Sequence, residues 1–416
     1  MKEYVTAKQI ELQLVNLKQL VFEVTDACNL NCTYCGYGEL YNDYDKREGK
    51  NMPVEKAVAM IDYLSKLWKS NKNQSYNKVV FISFYGGEPL LNMKFIKLII
   101  NYIKTIDVPR SFIYTMTTNA VLLDKYIDFL VENQFNILIS LDGNKKNNSY
   151  RVDKKGNYSY WKVMKNINYV KNKFPEYFKN KVNFNSVLHD RNSYEEIFYF
   201  IKDKFDKKPQ IGELNNIGVN ENKKYIFEQM YCNSYKSLME SNKRNEIIDN
   251  MFIQSDIYRN LTSFIHLKSS SYFNDYNELI YGKYNKKDMP SGTCIPFSKK
   301  MFVTVNGKIL PCERIGHQFG MGQINDDITI TLDYKEIARK HNYYLNKISK
   351  QCINCKISNM CMQCIYNIEN IDKETKIYCS NCLSNDEFEI IEQYYMSFLS
   401  KHPHDYYRIL REIVIN

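Results

Sequence analysis

The chain has 416 residues, enough for more than one domain, and 44% of them are hydrophobic, enough for a sizeable core. The formal net charge of +10 does not indicate nucleic-acid binding, because the lysines are dispersed and no basic stripe or helix-turn-helix pattern occurs. No apolar run approaches the roughly 18 residues that a membrane span needs. Twelve cysteines without a signal peptide favour free thiols in a reducing cytoplasm.

Short β-branched and aromatic runs alternate with helix-period segments from residue 20 to about 218. The predicted strands are 20–24, 78–84, 111–117, 136–141, 182–188 and a weaker one at 210–218. The predicted helices between them are 53–69, 92–105, 122–133, 158–174 and 193–205. Six strand–helix repeats in roughly 200 residues predict an α/β fold, a partial (β/α)6 barrel with parallel strands and right-handed crossovers.

The other segments differ in composition from this repeat. Residues 221–290 are polar with a helical pattern, which predicts a connector. Helices are also predicted at 386–398 and 404–414. The predicted division is an N-terminal extension 1–19, the barrel 20–220, the connector 221–290, a cysteine-rich domain 291–385 and C-terminal helices 386–416.

Three cysteines follow the first strand with the spacing C-x3-C-x2-C, namely Cys28, Cys32 and Cys35. Three thiolates on one tight loop can hold three irons of a [4Fe–4S] cluster and leave the fourth iron open for chemistry. The alternative is a zinc site or unpaired core cysteines, although zinc sites usually need a distant fourth ligand. The stretch from Thr25 to Cys35 resembles the cluster loop of radical S-adenosylmethionine (SAM) enzymes. The resemblance implies that the open iron chelates the amino and carboxylate groups of SAM.

A second motif, Tyr85-Gly86-Gly87-Glu88-Pro89, ends the second predicted strand. Its glycines allow close approach of the backbone, and the Glu88 carboxylate can accept hydrogen bonds from an ammonium group. The motif resembles the Gly-Gly-Glu-Pro sequence that holds the SAM amino group in the same family. The resemblance implies further SAM contacts from residues near the thiols and at strand ends: Tyr34, Thr118, Asn119, Ser140 and Arg151. Asp142, in the same region, is either a site residue or an ordinary turn residue.

Eight cysteines between residues 294 and 382 include the pattern C-x2-C-x5-C-x2-C and a later C-x2-C. Together with the G-x4-C of Gly307 to Cys312, they resemble the SPASM domain, which binds two auxiliary [4Fe–4S] clusters, although the gap before Cys364 is one residue short. The resemblance implies a nearer cluster on Cys294, Cys312, Cys364 and Cys379 and an outer cluster on Cys352, Cys355, Cys361 and Cys382. Alternatively, Cys379 and Cys382 exchange places, one iron of the nearer cluster stays open for a substrate thiol, or the C-x2-C pairs bind zinc.

The combined resemblance is to maturases of ribosomally made peptides, of the sactipeptide and ranthipeptide type. It implies an enzyme that generates a 5′-deoxyadenosyl radical, abstracts hydrogen from a precursor peptide and installs a thioether or carbon–carbon crosslink. Glu313, directly after Cys312, is placed to take a proton as the substrate radical loses an electron; a solvated Glu is the alternative. In sulfatase-maturing relatives an Asp plays this part.

The expected partners are the precursor peptide and an electron donor such as flavodoxin or ferredoxin. Many maturases of this type begin with a winged-helix domain that binds the leader of the precursor peptide, and the 27 residues before Cys28 are too few for such a domain. We therefore expect the leader to be recognised by a separate leader-binding protein, by residues 1–19 or by the connector. A second hypothesis is an anaerobic sulfatase-maturing enzyme, which oxidises Cys or Ser to formylglycine. A third is a non-enzymatic iron–sulfur or zinc scaffold, against which the intact Gly-Gly-Glu-Pro motif and loop thiols argue.

Overall fold

The computed structural model describes residues 2–251, 261–262, 264–265, 290–358 and 361–412. Residues 410–412 are described by their backbone alone. Parts of the predicted connector and of the last predicted helix therefore lie outside the described residues. The chain divides into two compact units. The larger unit comprises Ala7–Arg244 and Ile295–Ile337, and the smaller one comprises Met1–Thr6, Asn245–Cys294 and Ala338–Asn416.

The described residues of the larger unit contain one sheet of ten strands, in the order β10-β9-β8-β7-β1-β2-β3-β4-β5-β6. The strands are β1 Gln19–Thr25, β2 Val79–Gly86, β3 Ser111–Thr118, β4 Asn136–Ser140, β5 Val182–Val187, β6 Gln210–Gly212, β7 Met301–Val303, β8 Lys308–Leu310, β9 Gly322–Ile324 and β10 Ile330–Thr331. β1 to β6 pair in parallel, as predicted, and β7 continues the parallel sheet beside β1. β8, β9 and β10 add antiparallel strands that the sequence analysis did not predict.

Helices connect the parallel strands, and the five predicted crossover helices are confirmed to within two residues at each end. The helices are α1 Ala7–Val15, α2 Val54–Trp68, α3 Met93–Ile103, α4 Leu123–Glu132, α5 Tyr160–Lys173, α6 Pro175–Lys181, α7 Tyr194–Phe205, α8 Lys224–Met230, α9 Ser234–Met239, α10 Arg244–Asn250, α11 Tyr334–Asn354, α12 Asn385–Lys401 and α13 Pro403–Glu412. No described helix has the length and apolar character that a membrane crossing requires.

The core of the larger unit explains why these segments fold as they do. α2 buries Ala57, Met60, Ile61 and Leu64, which recur at helical spacing on one face. β1 is buried along almost its whole length because it lies between β2 and β7 in the sheet. Since parallel strands run in the same direction, the loops that follow β1 to β5 leave the sheet at one edge, where the predicted site residues lie.

The smaller unit contains α11 from Ala338 onward, α12, α13 and the cysteine-rich loops. Asn342 on α11 fixes the N-terminal segment, because its side chain accepts a hydrogen bond from Val5 N and donates one to Val5 O, at 2.9 and 2.7 Å. α12 begins with a capping box, in which Ser384 and Glu387 satisfy each other's backbone N–H groups.

Candidate active site

The three N-terminal thiols lie on the loop that leaves β1. Cys35 N donates to Cys32 O at 3.0 Å and Gly38 N donates to Cys35 O at 2.8 Å, so the chain turns twice within a few residues. Leu30 N lies 3.4 Å from Cys28 Sγ and Asn119 Nδ2 lies 3.8 Å from it. N–H groups around a cysteine sulfur stabilise its thiolate form and tune the potential of a bound cluster.

Burial raises the pKa of Cys28 to about 11 and the pKa of Cys32 to about 12, the latter against the opposing charge of Arg151. In the metal-free protein these two thiols are therefore protonated at neutral pH, and bound iron would replace their protons. Among the described residues, no three His, Cys, Asp or Glu side chains form a group suited to a single ion. Each thiolate ligand of a [4Fe–4S] cluster binds a different iron, and three soft ligands on one loop fit such a cluster.

The Gly-Gly-Glu-Pro motif is joined to the thiol loop by backbone hydrogen bonds. Gly87 N donates to Thr25 O and Glu88 N donates to Ala27 O, both at 2.9 Å. A Cβ on Gly86 would overlap Thr25 O, and a Cβ on Gly87 would overlap Ala27 O. Gly86 also has a φ of 136°, which side-chain-bearing residues rarely adopt. Both glycines are therefore required for the close approach of the motif to the start of the thiol loop.

Glu88 connects β2 to β3 through its carboxylate. This buried group accepts hydrogen bonds from Thr118 Oγ1 at 2.7 Å, from Asn119 N at 2.8 Å and from Leu90 N at 3.1 Å. Burial raises its pKa to about 7, and the three hydrogen bonds oppose that rise. The sequence analysis expected this carboxylate to face an ammonium group, whereas in the structure both of its oxygens are bound by the chain itself. Its contact with SAM remains a prediction.

Asn119 joins the end of β3 to the thiol loop. Its Nδ2 donates to Asn29 Oδ1 at 2.8 Å, and its Oδ1 accepts from Val121 N at 3.0 Å. Thr118 and Asn119, both predicted site residues, thus lie at one place with Glu88 and the first thiol of the loop.

Asp142 and Arg151 form a buried ion pair with two hydrogen bonds. Arg151 Nε donates to Asp142 Oδ2 at 2.9 Å, and Arg151 Nη2 donates to Asp142 Oδ1 at 3.0 Å. Tyr34 Oη also donates to Asp142 Oδ2, and Val187 N donates to its Oδ1. Burial alone would raise the pKa of Asp142, but the Arg151 charge, the nearby His189 ring at 3.8 Å and hydrogen bonds from Arg151 and Tyr34 lower it to about 2. Asp142 is therefore a buried structural anion rather than an ordinary turn residue.

Tyr34 connects this ion pair to the thiol loop, because it bonds to Asp142 and lies between Cys32 and Cys35 in sequence. Its ring stacks on His189 with centroids 5.5 Å apart and meets Tyr150 edge to face at 6.0 Å. The Arg151 guanidinium lies 5.4 Å from the centre of the same ring. Of the predicted SAM contacts, Tyr34 and Arg151 therefore meet at Asp142. Ser140 is the last residue of β4 and pairs with Asn185 of β5.

An aromatic and polar cluster beside the thiol loop was missed by the sequence analysis. Tyr37 meets Tyr44 at 4.7 Å and Tyr85 at 6.2 Å between ring centroids, and Tyr44 meets His317 at 5.1 Å. The Arg47 guanidinium lies 4.2 Å from the centre of the Tyr37 ring. The only sequence signal for this cluster is the density of tyrosines that follows Cys35.

Three polar atoms of this cluster are buried without a hydrogen-bond partner in the described part of the chain. They are Tyr37 Oη, Arg47 Nη2 and His317 Nε2, and only 4% of His317 is exposed. Buried polar atoms are nearly always paired in native proteins, so three unpaired ones at one place mark a position where water or a ligand would bind.

Glu313 lies close to this cluster and is not a solvated side chain. Lys300 Nζ is 2.9 Å from its Oε1, and Cys312 Sγ is 3.7 Å from its Oε2. Burial raises the pKa of the Glu313 carboxyl, but Lys300 overcomes this effect and holds the pKa below its ordinary value. Its negative charge contributes, after burial, to the raised pKa of Tyr85. Glu313 is therefore an ionised carboxylate that can accept a proton.

The eight cysteines predicted to hold auxiliary clusters are all described, and seven of them belong to the smaller unit, Cys312 being the exception. Within the smaller unit Ile365 N donates to Thr293 Oγ1 at 2.8 Å, which brings the segments that carry Cys294 and Cys364 together. The segments that carry the remaining five, Cys352, Cys355, Cys361, Cys379 and Cys382, meet at the end of α11 through hydrogen bonds of Gln351 and Gln363. Cys379, which the sequence analysis assigned to the nearer cluster, is in this second group.

A family model described as the radical SAM superfamily matches residues 22–203, from β1 to α7. These residues form a radical SAM domain. A radical SAM domain implies a [4Fe–4S] cluster and SAM, and the thiol loop fits such a cluster. The predicted α/β fold and the predicted resemblance to radical SAM enzymes are confirmed, and the protein is an enzyme that contains a radical SAM domain.

Two relatives of this radical SAM enzyme match most of its length. It is 24% identical over 352 residues to the radical SAM cyclopropyl synthase TigE of Paramaledivibacter caminithermalis. The matched region covers 83% of this chain and 67% of TigE. It is 25% identical over 355 residues to a cysteine-type anaerobic sulfatase-maturating enzyme of Clostridium novyi, with 83% and 87% covered.

Solved structures show the same fold. The structure described as native anSMEcpe with bound AdoMet, which is SAM, has a TM-score of 0.62 at 20% identity and covers 95% of this chain and 100% of that one. SuiB of Streptococcus suis has a TM-score of 0.52 at 18% identity and covers 89% and 78%.

Proposed function

We propose that the protein is a radical SAM peptide maturase that installs a thioether or carbon–carbon crosslink in a ribosomally made precursor peptide. The observation that carries the proposal is the backbone junction between Gly87, Glu88 and the start of the thiol loop, at 2.9 Å for both hydrogen bonds. This junction fixes the three thiols and the Gly-Gly-Glu-Pro motif against each other at the carboxyl ends of β1 and β2. When bound, the reduced cluster and SAM supply a 5′-deoxyadenosyl radical that abstracts hydrogen from a peptide carbon.

The chain's own residues position these groups. Cys28, Cys32 and Cys35 would hold three irons, and Gly86 to Pro89 would border the SAM amino group. Arg151 is committed to Asp142 by two hydrogen bonds. Its role is to fix Tyr34 and the thiol loop and to place positive charge near Cys32, whose pKa it lowers against burial. Positioning of this kind accounts for a large share of enzymatic rate enhancement.

The peptide is proposed to bind beside the thiol loop, at the cluster formed by Tyr37, Tyr44, Tyr85, Arg47 and His317. Its unpaired polar atoms are suited to the carbonyl and amide groups of a peptide. Glu313 is proposed to accept the proton released as the bond forms, because its carboxylate is ionised and mostly enclosed. A peptide substrate also agrees with the structures described as anSMEcpe with AdoMet and the Kp18Cys or Cp18Cys peptide.

Two auxiliary [4Fe–4S] clusters on the C-terminal cysteines are proposed to receive the electron that the substrate radical loses. An electron donor such as flavodoxin or ferredoxin, a separate leader-binding protein and cytoplasmic localisation remain parts of this proposal.

The test is anaerobic co-expression of the enzyme with each short peptide found encoded beside its gene, followed by mass spectrometry of that peptide. The expected product has lost two hydrogen atoms per event, and fragmentation locates the crosslink. The enzyme is also purified from the same cells and tested for cleavage of SAM. A peptide of unchanged mass, together with an enzyme that cleaves SAM, would contradict the proposed crosslinking.

The second candidate is formylglycine formation in a sulfatase. The carboxylate that directly follows Cys312 and the similarity to sulfatase-maturating enzymes over 83% of this chain favour it. Sulfatase peptides that contain Cys or Ser distinguish the two candidates, because an aldehyde that reacts with a hydrazide probe forms only in the second reaction.

A further inference from the structure

We infer that Cys379 completes the outer cluster site together with Cys352, Cys355 and Cys361, and that Cys382 is a reserve ligand of the same site. The inference rests on the proposed auxiliary clusters and concerns which thiols hold the outer one. It changes the assignment made from sequence, in which Cys379 belonged to the nearer cluster and Cys382 to the outer one.

The backbone ties the Cys379–Cys382 segment to the end of α11. Cys379 N donates to Gln351 Oε1 at 3.0 Å, and Gln351 Nε2 donates to Ile377 O. At Leu383, four residues after Cys379, the backbone is held again. Lys356 N donates to Leu383 O at 3.3 Å, and Leu383 N lies 3.5 Å from Cys355 Sγ. Because the segment is held at both of its ends, Cys379 and Cys382 both stay beside Cys352 and Cys355.

The two C-x2-C pairs have the same local turn. Cys355 N donates to Cys352 O at 3.3 Å, and Cys382 N donates to Cys379 O at 3.0 Å. Cys361 is tied to the second pair through Gln363, whose N–H lies 3.4 Å from Cys361 Sγ and whose Oε1 accepts a hydrogen bond from Asn381 Nδ2 at 2.5 Å. Five thiols therefore lie on segments that meet at the end of α11, whereas a [4Fe–4S] cluster has four irons and takes at most four cysteine ligands.

Cys364 does not belong to this group. Thr293 Oγ1 accepts from Ile365 N at 2.8 Å and donates to Gln363 O at 3.4 Å, which fixes the backbone on both sides of Cys364 to the segment that carries Cys294. In agreement, the thiol whose charge raises the pKa of Cys364, after burial, is Cys294. The surplus thiol of the outer site must accordingly be one of the five at the end of α11.

Burial decides between Cys379 and Cys382, the two thiols whose assignment the sequence leaves open. Cys379 is 7% exposed, like Cys352 and Cys355 at 9% and 8%, whereas Cys382 is half-buried. Cys361 is half-buried as well, but the sequence pattern already places it in the outer site. Cys382 Sγ lies 3.7 Å from the carbonyl oxygen of Gln351 and next to Cys355, at the rim of the group. Since Cys382 follows Cys379 by one turn of backbone, it can take the vacated iron position when the Cys379 thiol is removed.

The experiment compares anaerobically reconstituted full-length wild type with C379A, C382A and the C379A/C382A double variant. Iron and sulfide per chain and the Mössbauer and EPR spectra are measured without substrate. C382A is expected to keep the wild-type iron content and spectra. C379A is expected to keep the iron content with an altered EPR signal, and the double variant to lose about four irons. Cys232→Ala, outside every proposed site, is the control for removal of a thiol.

Loss of a whole cluster from C382A alone, or an equal loss from C379A and from the double variant, would overturn the inference. Retention of every iron by the double variant would also overturn it. A wild type that binds only one cluster would instead refute the proposed auxiliary clusters, and the inference with them. The SAM-dependent change in the EPR signal of the N-terminal cluster shows that each variant is folded.

Discussion

Arg151 binds Asp142 through two hydrogen bonds of 2.9 and 3.0 Å, and both side chains are buried. The pair connects the end of β4 to the thiol loop, because Tyr34 Oη donates to the same carboxylate. We expect Asp142→Asn to destabilise the protein by about 3–5 kcal/mol, since removal of one partner leaves a buried charge unpaired. Urea denaturation measures this loss. Asp128→Asn, which removes an exposed ion pair with Lys173, is the control and is expected to cost far less.

The same ion pair predicts a pH dependence of stability. The pKa of Asp142 is lowered from 3.8 to about 2, so the native state favours its ionised form. A depressed pKa of a carboxyl contributes stability that is present above the unfolded value and is lost as the pH falls through the folded value. We therefore expect the wild-type advantage over Asp142→Asn to be constant above pH 4 to 5 and to shrink between about pH 4 and 2. Denaturation at several pH values gives this difference, which a constant advantage down to pH 2 would contradict.

Gly87→Ala tests the junction between the Gly-Gly-Glu-Pro motif and the thiol loop. A methyl group at this position would overlap Ala27 O, so the backbone of one segment must move. We expect a loss of about 1–3 kcal/mol in the free energy of unfolding, together with weaker SAM binding by the reconstituted protein. Gly212→Ala is the matched control, because a methyl group there meets nothing within 4 Å. Equal SAM affinities of the two variants would argue against the junction.

Glu313→Gln separates hydrogen abstraction from the later loss of a proton. The ionised carboxylate beside Lys300 is the proposed proton acceptor, and a positioned base typically contributes about 10²–10⁴-fold. We expect formation of 5′-deoxyadenosine to continue while formation of modified peptide falls by roughly that factor. Chromatography of both products measures the ratio. Glu39→Gln, at an exposed position, is expected to leave the ratio unchanged, and an unchanged ratio in Glu313→Gln would remove Glu313 from the mechanism.

The parallel strands and their crossover helices were predictable because hydrophobic periodicity sets them locally. α2, for example, is bounded by Pro53 and carries its apolar residues on one face. β7 to β10 were missed because strands of two or three residues are too short to show alternation. Their pairing depends on contacts distant in sequence, such as Leu20 with Met301.

Motif spacing predicted which residues cluster at the site, but not how they are bonded. Sequence alone shows that Glu88 follows two glycines; it does not show that Thr118, Asn119 and Leu90 occupy its carboxylate. Similarly, the spacing of Cys379 and Cys382 does not show to which cluster each thiol belongs. Both are placed at the end of α11 by Gln351, which lies 28 positions before Cys379 in the sequence. The tertiary partner determines the role in each case.

The most direct test of the account is EPR and ENDOR spectroscopy of the reduced N-terminal cluster, with and without SAM labelled isotopically at its amino nitrogen and carboxylate oxygens. The account predicts an altered EPR signal and coupling of both labels to an iron of the cluster, absent from the Cys28→Ala, Cys32→Ala and Cys35→Ala variants. A signal that SAM leaves unchanged in the fully reconstituted wild type would contradict it.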